Sequence, residues 1–436
     1  MMINDHLKQK FEQAELLTIN EEEFKLKVEN WELQGLSSQN LTKSSLRVID
    51  EGRIGSNTTF GSLEDSSDQL IKGASESVRF GGEASFAFAG PGTGSYQLKS
   101  NKNYDEATPE DFFSFLQECL TAVREREEEM TFNLGLEKTR RLIQLETSEG
   151  CQRKEYQVLF SLLFSTPIPG GGSELLRMLY APEFFKELPE REIEELIRDY
   201  RASKEVSVPE TGKMPVLFMP RCLYFLPLSL AEGISGKNLY RDTSPLKDRL
   251  GEKLFSDRIT ITDCPQMAGS PRARYFDDEG IPTSEQTIVE AGSLQQYIYD
   301  LEYATRMGAE PTGHGMKQSL FFSDIDTPVT PSLINPVIQP GEDSREDILS
   351  SLKEGIIVES IVGFHSSNYT QGHFSVQAHG FHVQQGEIAG RLQDVMIAGN
   401  IYQDFKNVQA VGERLEPTFY GFAPCLLVDG ISVTGR

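Results

Sequence analysis

The sequence is poor in cysteine, in positive charge and in long apolar runs, and each shortage removes a class of protein. Its five cysteines, Cys119, Cys151, Cys222, Cys264 and Cys425, are odd in number and far apart, with no C-x-x-C pair. That excludes a disulfide framework and a thiolate metal or redox motif, and predicts reduced, mostly buried thiols. Only 42 Lys and Arg stand against 66 Asp and Glu, a formal charge of -24. A phosphate backbone or an anionic membrane surface would be repelled, and no Lys/Arg cluster with interleaved aromatics offsets this. No apolar run reaches the roughly 18 residues needed to cross a bilayer. The first 17 residues carry Asp5, Lys8, Lys10, Glu12 and Glu15, unlike the apolar core of a secretion signal, so a cytoplasmic location is expected.

What is present is an ordinary globular composition, 38% hydrophobic and 25% charged, over 436 residues, enough for two domains. Polar residues dominate between Ala202 and Lys213, which sets the boundary: an N-terminal α/β domain over 1–208 and a β-rich domain over 209–436. The fold class is α+β. Alternation predicts strands over 23–28, 31–37 and 45–49. Helices are predicted over 67–78, with Leu70, Ile71, Ala74 and Val78 on one face, from Thr108-Pro109, over 173–180, and over 189–200 with Ile193, Leu196, Ile197 and Tyr200 aligned. Ser344 to Asp347 reads as a capping box, and Gln384-Gln385-Gly386 as a hairpin turn between late strands. The glycine runs 90–94 and 170–172 lack the Lys-Ser/Thr of a phosphate loop and read as loops, with Gly172-Ser173 capping the 173–180 helix.

Four of the six histidines, His365, His373, His379 and His382, fall within 18 residues. On a strand His373 and His379 share a face and His382 takes the other, so convergence on a metal is the weaker reading. Asp277-Asp278-Glu279-Gly280 lacks the ligand alternation of a calcium loop and reads as a solvated turn that caps amides or pairs with Arg272 and Arg274. His314, between Gly313 and Gly315, reads as a loop residue first and a substrate contact second.

Five phrases in order resemble the TldD/PmbA family, once labelled modulators of DNA gyrase. They are Glu51-Gly52-Arg53-Ile54-Gly55, Ser235-Gly236-Lys237 with Ser244-Pro245-Leu246-Lys247-Asp248, Phe276 to Thr283, Pro311-Thr312-Gly313-His314-Gly315, and Gly372-His373-Phe374-Ser375-Val376 leading to Ile397-Ala398-Gly399-Asn400. The resemblance implies a two-part fold and a protease of paired subunits, one TldD-like with an H-E-x-x-x-H helix binding zinc and a later cysteine, the other PmbA-like (TldE-like). Here the matching helix reads Pro227 to Glu232 without either histidine, and no cysteine stands near Val411-Gly412-Glu413. The resemblance therefore implies a PmbA-type chain with no catalytic residue and no cofactor of its own, zinc lying in a TldD-like partner. Such a chain would bind that partner as a heterodimer and help admit an unfolded or extended peptide at a sheet edge. His314, His365 and His373 are the expected peptide contacts. Two other readings stay open: a stand-alone metal-dependent peptidase built on His373 and His379, and a peptide-binding homodimer.

Overall fold

A computed structural model describes residues 4–97, 102–170, 173–318 and 324–435. After a short helix α1 (Asn4–Lys10), the chain makes two very long strands, β1 (Gln13–Glu29) and β2 (Glu32–Asp50), followed by β3 (Arg53–Phe60). The predicted strands 31–37 and 45–49 are thus parts of one strand. Asn30 and Trp31, both at positive φ, form the tight turn before it. Helix α2 (Leu63–Val78) buries Leu70, Ile71, Ala74 and Val78, the face its spacing predicts.

Strand β4 (Gly92–Gln97) runs parallel to a later strand, so the first glycine run is partly strand and not loop; residues 171 and 172 of the second lie outside the described residues. After α3 (Lys102–Glu106), helix α4 (Pro109–Arg126) starts on a full capping box. Thr108 Oγ1 accepts from Asp111 N at 3.2 Å and Asp111 Oδ2 accepts from Thr108 N at 2.8 Å.

Strands β5 (Asn133–Thr147), β6 (Cys151–Pro167) and β7 (Glu174–Ala181) complete a seven-stranded sheet of order β3-β2-β1-β5-β6-β4, with β7 also on β6. The helix predicted over 173–180 is therefore a strand. Leu175 and Leu179 mimic a helical repeat, but eight residues paired along β6 decide the conformation. Helix α5 (Glu190–Ala202) buries Ile193, Leu196, Ile197 and Tyr200 as its spacing predicts.

From β8 (Gly212–Phe218) onward the chain builds a second sheet. The strands Glu354–Val362, Gly212–Phe218, Leu426–Thr434, Val395–Asn400 and His373–Gln384 follow one another, and the last pairs back onto the first, closing a ring. The hairpin leaving His373–Gln384 turns at Gln385 (φ 54°) and Gly386 (φ 82°), the two positive φ values a tight primed turn requires. Against this barrel lies helix α6 (Phe225–Ile234), whose Leu226, Leu228, Leu230 and Ile234 are all buried. A helix this apolar belongs inside a core.

The two halves share hydrophobic packing: Phe112, Leu134 and Leu162 belong to the same cluster as Leu217, Ile357 and Phe381. A buried ionic knot reinforces the junction. Arg177 of β7 meets Asp199 of α5 at 2.5 Å, and Arg345 lies 3.6 Å from Asp199 and 3.5 Å from Glu359, which also pairs with Arg221. Burial pushes the Asp199 carboxyl up, but Arg345, Arg177 and Arg198 outweigh it and hold it below the usual range. Its stabilising contribution is therefore present above the unfolded carboxylate range and lost as pH falls through the lowered value. Asp199→Asn is expected to cost about 3–5 kcal/mol, because it strands buried guanidinium charge. Urea unfolding followed by the fluorescence of the single tryptophan, Trp31, measures this, and the loss should shrink in acid.

Candidate functional site

The long N-terminal sheet is covered on opposite faces at its two ends. On β5, the even-numbered Leu134, Leu136 and Lys138 turn under α4 and are buried, whereas Asn133, Gly135, Glu137 and Arg141 are only half-buried. Farther along, Ile143 and Leu145 are buried beneath Phe276 of the C-terminal half. Between these covered ends the odd-numbered face of β1, β5 and β6 is left as the floor of a groove. Three adjoining hollows make it up, of about 540, 20 and 290 Å³, and Pro271 lines all three as an overhanging edge. From Asn133 to Ile143 the floor runs about 34 Å at an antiparallel strand's rise. Leu159, Leu163, Met178 and Tyr180 give it apolar surface, and Thr139, Arg141, Gln157 and Ser161 give it polar surface.

The segment that closes the far end is held by buried charge. Arg47 of β2 donates from Nε to Glu15 Oε1 at 2.7 Å and from Nη2 to Glu15 Oε2 at 2.8 Å and Glu279 Oε1 at 3.0 Å. Asp277 Oδ1 accepts from Glu279 N at 3.0 Å and Ile281 N at 2.9 Å, while its Oδ2 accepts from Gly315 N at 2.9 Å. Asp278 pairs with Arg274 at 2.8 Å. Gly280, at φ 82°, makes the turn; a Cβ there would lie 2.8 Å from Leu145 and 3.0 Å from Cys151. The expected solvated turn over 277–280 is thus corrected. The capping and the Arg274 pair are found, but Asp277, Asp278 and Glu279 are 0%, 5% and 1% exposed. Arg272 pairs with none of these acids; it donates from Nε to Ile334 O at 2.6 Å.

Crowded carboxyls raise one another. Burial, and then Glu279, lifts Asp277 well above its ordinary value and Asp300 to about 8; burial also lifts Glu279 against the pull of Arg47. Lys317, on the groove wall, is pulled down to about 8, chiefly by burial. A carboxyl raised on folding binds more protons in the native state, so its contribution is fully present below about pH 4 and is lost as pH rises through about 8. Asp300 also caps a helix by accepting from Tyr303 N at 2.8 Å, which an asparagine can do. Asp300→Asn should therefore melt a few degrees above the parent at pH 9 and lose that advantage at pH 5, as scanning calorimetry at the two pH values checks.

The histidines do not meet in the groove. His314 is 1% exposed, its Nδ1 2.9 Å from Thr312 Oγ1 and its Nε2 3.1 Å from Asp263 Oδ2, a buried anchor between loops. His365 is exposed on a 3₁₀ turn. His373 is exposed and lines a separate open basin with Asn368, Asn400 and Asp404. His379 is half-buried, and burial lowers its pKa. His382 is buried, with Nδ1 2.8 Å from Ser207 Oγ and Nε2 2.7 Å from Glu354 Oε1. Among the described residues no group of three or more His, Cys, Asp or Glu is placed to hold a metal ion. Sequence reasoning missed Arg47, Arg141 and Lys317. Each meets its partners only through the fold, and no local spacing marks it.

Residues 211–435 match the family model described as the PmbA/TldA metallopeptidase C-terminal domain. A metalloprotease PmbA homolog of Haemophilus influenzae is 28% identical over 226 residues, 52% of this chain and 47% of that protein. A metalloprotease of Methanothermobacter thermautotrophicus is 29% identical over 244 residues, 56% of this chain and 50% of that protein. The chain thus spans about half the length of these curated relatives. The crystal structure of TldE from Thermococcus kodakarensis superposes with a TM-score of 0.85 at 22% identity, covering 99% of each chain, which establishes the same fold.

Proposed function

This chain belongs to the PmbA/TldD metallopeptidase family, and from that premise we propose that it is the non-hydrolytic, TldE-like subunit of a two-subunit peptide-processing protease. Zinc, the metal the resemblance implies for a TldD-like subunit, needs imidazole, thiolate or carboxylate donors converging from three or four sides. The residues of α6 do not fit it. Pro227 to Glu232 contribute leucine, serine and one carboxylate, and that carboxylate is engaged: Glu232 Oε2 accepts from Asn238 Nδ2 at 2.8 Å. The absence of imidazole from this buried helix is the single observation that carries the reading.

In this account the chain's own work is binding. The groove between the N-terminal sheet and the 271–278 segment has the length for an extended peptide of about ten residues. Its mixed lining suits many sequences, since scattered polar groups orient the chain while apolar patches take alternate side chains. On this reading the peptide lies on the sheet's face, where the sequence had suggested an edge. Catalysis belongs to a zinc-bearing partner, and the complex is a heterodimer acting in the cytoplasm on unfolded or extended peptides.

Two measurements on one preparation test this. The chain alone should retain no stoichiometric zinc and cleave no peptide; mixed with a TldD-like subunit it should co-elute on a sizing column, and cleavage should appear only in the mixture. Retained metal with hydrolysis by the chain alone, abolished by His373→Ala, would establish the stand-alone reading instead.

A further inference from the structure

The 290 Å³ hollow at the Arg272 end of the groove has a charge unlike the rest of the molecule. In a chain of net charge -24, five cations line it, Lys43, Arg141, Arg272, Arg274 and Lys317, against the carboxylates Glu21, Asp278 and Asp324. Those three acids are already engaged. Lys43 holds Asp324 at 3.2 Å, Arg141 holds Glu21, and Arg274 holds Asp278 at 2.8 Å.

Arg272 stands apart. Among the described residues no carboxylate lies within 4.0 Å of its guanidinium. Its Nε donates to Ile334 O at 2.6 Å, its Nη2 to Gln318 Oε1, and its Cζ lies 4.7 Å from the centroid of the Tyr420 ring. These neutral contacts fix the orientation of the group, and Asp263, whose charge also reaches it, forms no ion pair with it. A guanidinium drawn out of bulk water is stabilised by an anion, and its planar fork fits a carboxylate with two parallel bonds. Next to it, Arg274 is 9% exposed, and its buried Nε has no hydrogen-bond partner among the described residues. Leu17, Ile143, Met316, Ile325 and Ile334 supply apolar walls around the cations. The volume lies at the bottom of the range for small-molecule sites, about 300–1,000 Å³, and suits one residue rather than a cofactor.

We propose that this hollow is the subsite for the last residue of the bound peptide, with its free C-terminal carboxylate on Arg272 and an apolar side chain against the aliphatic walls. The inference rests on the peptide-groove reading and adds a polarity to it: the peptide lies with its C-terminus at the Arg272–Arg274 end and its earlier residues along β5 toward Asn133.

The test is fluorescence polarisation of two labelled decapeptides of one sequence ending in leucine, one with a free C-terminal acid and one amidated, binding to the full chain at pH 7. The acid should bind about tenfold or more tightly, the effect of one charge-assisted bidentate pair. Arg272→Gln should bring the acid down to the affinity of the amide and leave the amide unchanged. Equal affinities for the parent chain would overturn the subsite while leaving the groove intact, and that comparison needs no variant. If neither peptide binds, the groove reading falls and the subsite with it.

Discussion

Arg47 lies buried between Glu15 of its own sheet and Glu279 of the C-terminal half, and the geometry of the groove depends on that bridge. A cation in such a place needs nearly all of its donors satisfied, and here one carboxylate from each half does it. The bridge fixes the 276–281 segment against the sheet, and with it the neighbouring 271–274 strip that overhangs the groove. Burial and Glu279 raise the acids crowded behind it, Asp277 and Asp300, so the same cluster that sets the geometry ties stability to pH.

The architecture follows from strand length. Strands of 15 to 19 residues are longer than either set of covering elements, so each half of the molecule buries a different stretch and a different face. The uncovered stretch between them becomes a groove, and its floor is rigid because it is continuous sheet. On the C-terminal side, α6 is committed to packing, and its leucines fill the barrel-side core.

Much of the local structure was legible in the sequence. Leu70, Ile71, Ala74 and Val78, and Ile193, Leu196, Ile197 and Tyr200, repeat at the spacing of one helical face, and both faces are buried. Thr108 and Ser344 mark helix starts, and Gln385-Gly386 the hairpin, because caps and turns are set by neighbours in sequence. The failures are long-range. Residues 174–181 carry a helix-like repeat but are captured by β6, and Asp277 to Glu279 read as a solvated turn because their partners, Arg47 and the amide of Gly315, lie far away in the chain. The groove was invisible for the same reason. Arg272 and Arg274 could be noticed beside the acidic run, whereas Arg141 and Lys317 join them only through the fold.

Hydrogen exchange of the backbone amides, with and without a saturating extended peptide, tests most directly whether the sheet face is where this chain handles its substrate. The account predicts added protection in residues 133–143, 157–165 and 271–278. Protection confined to 366–375 and 398–404, around the basin that holds His373, would contradict it.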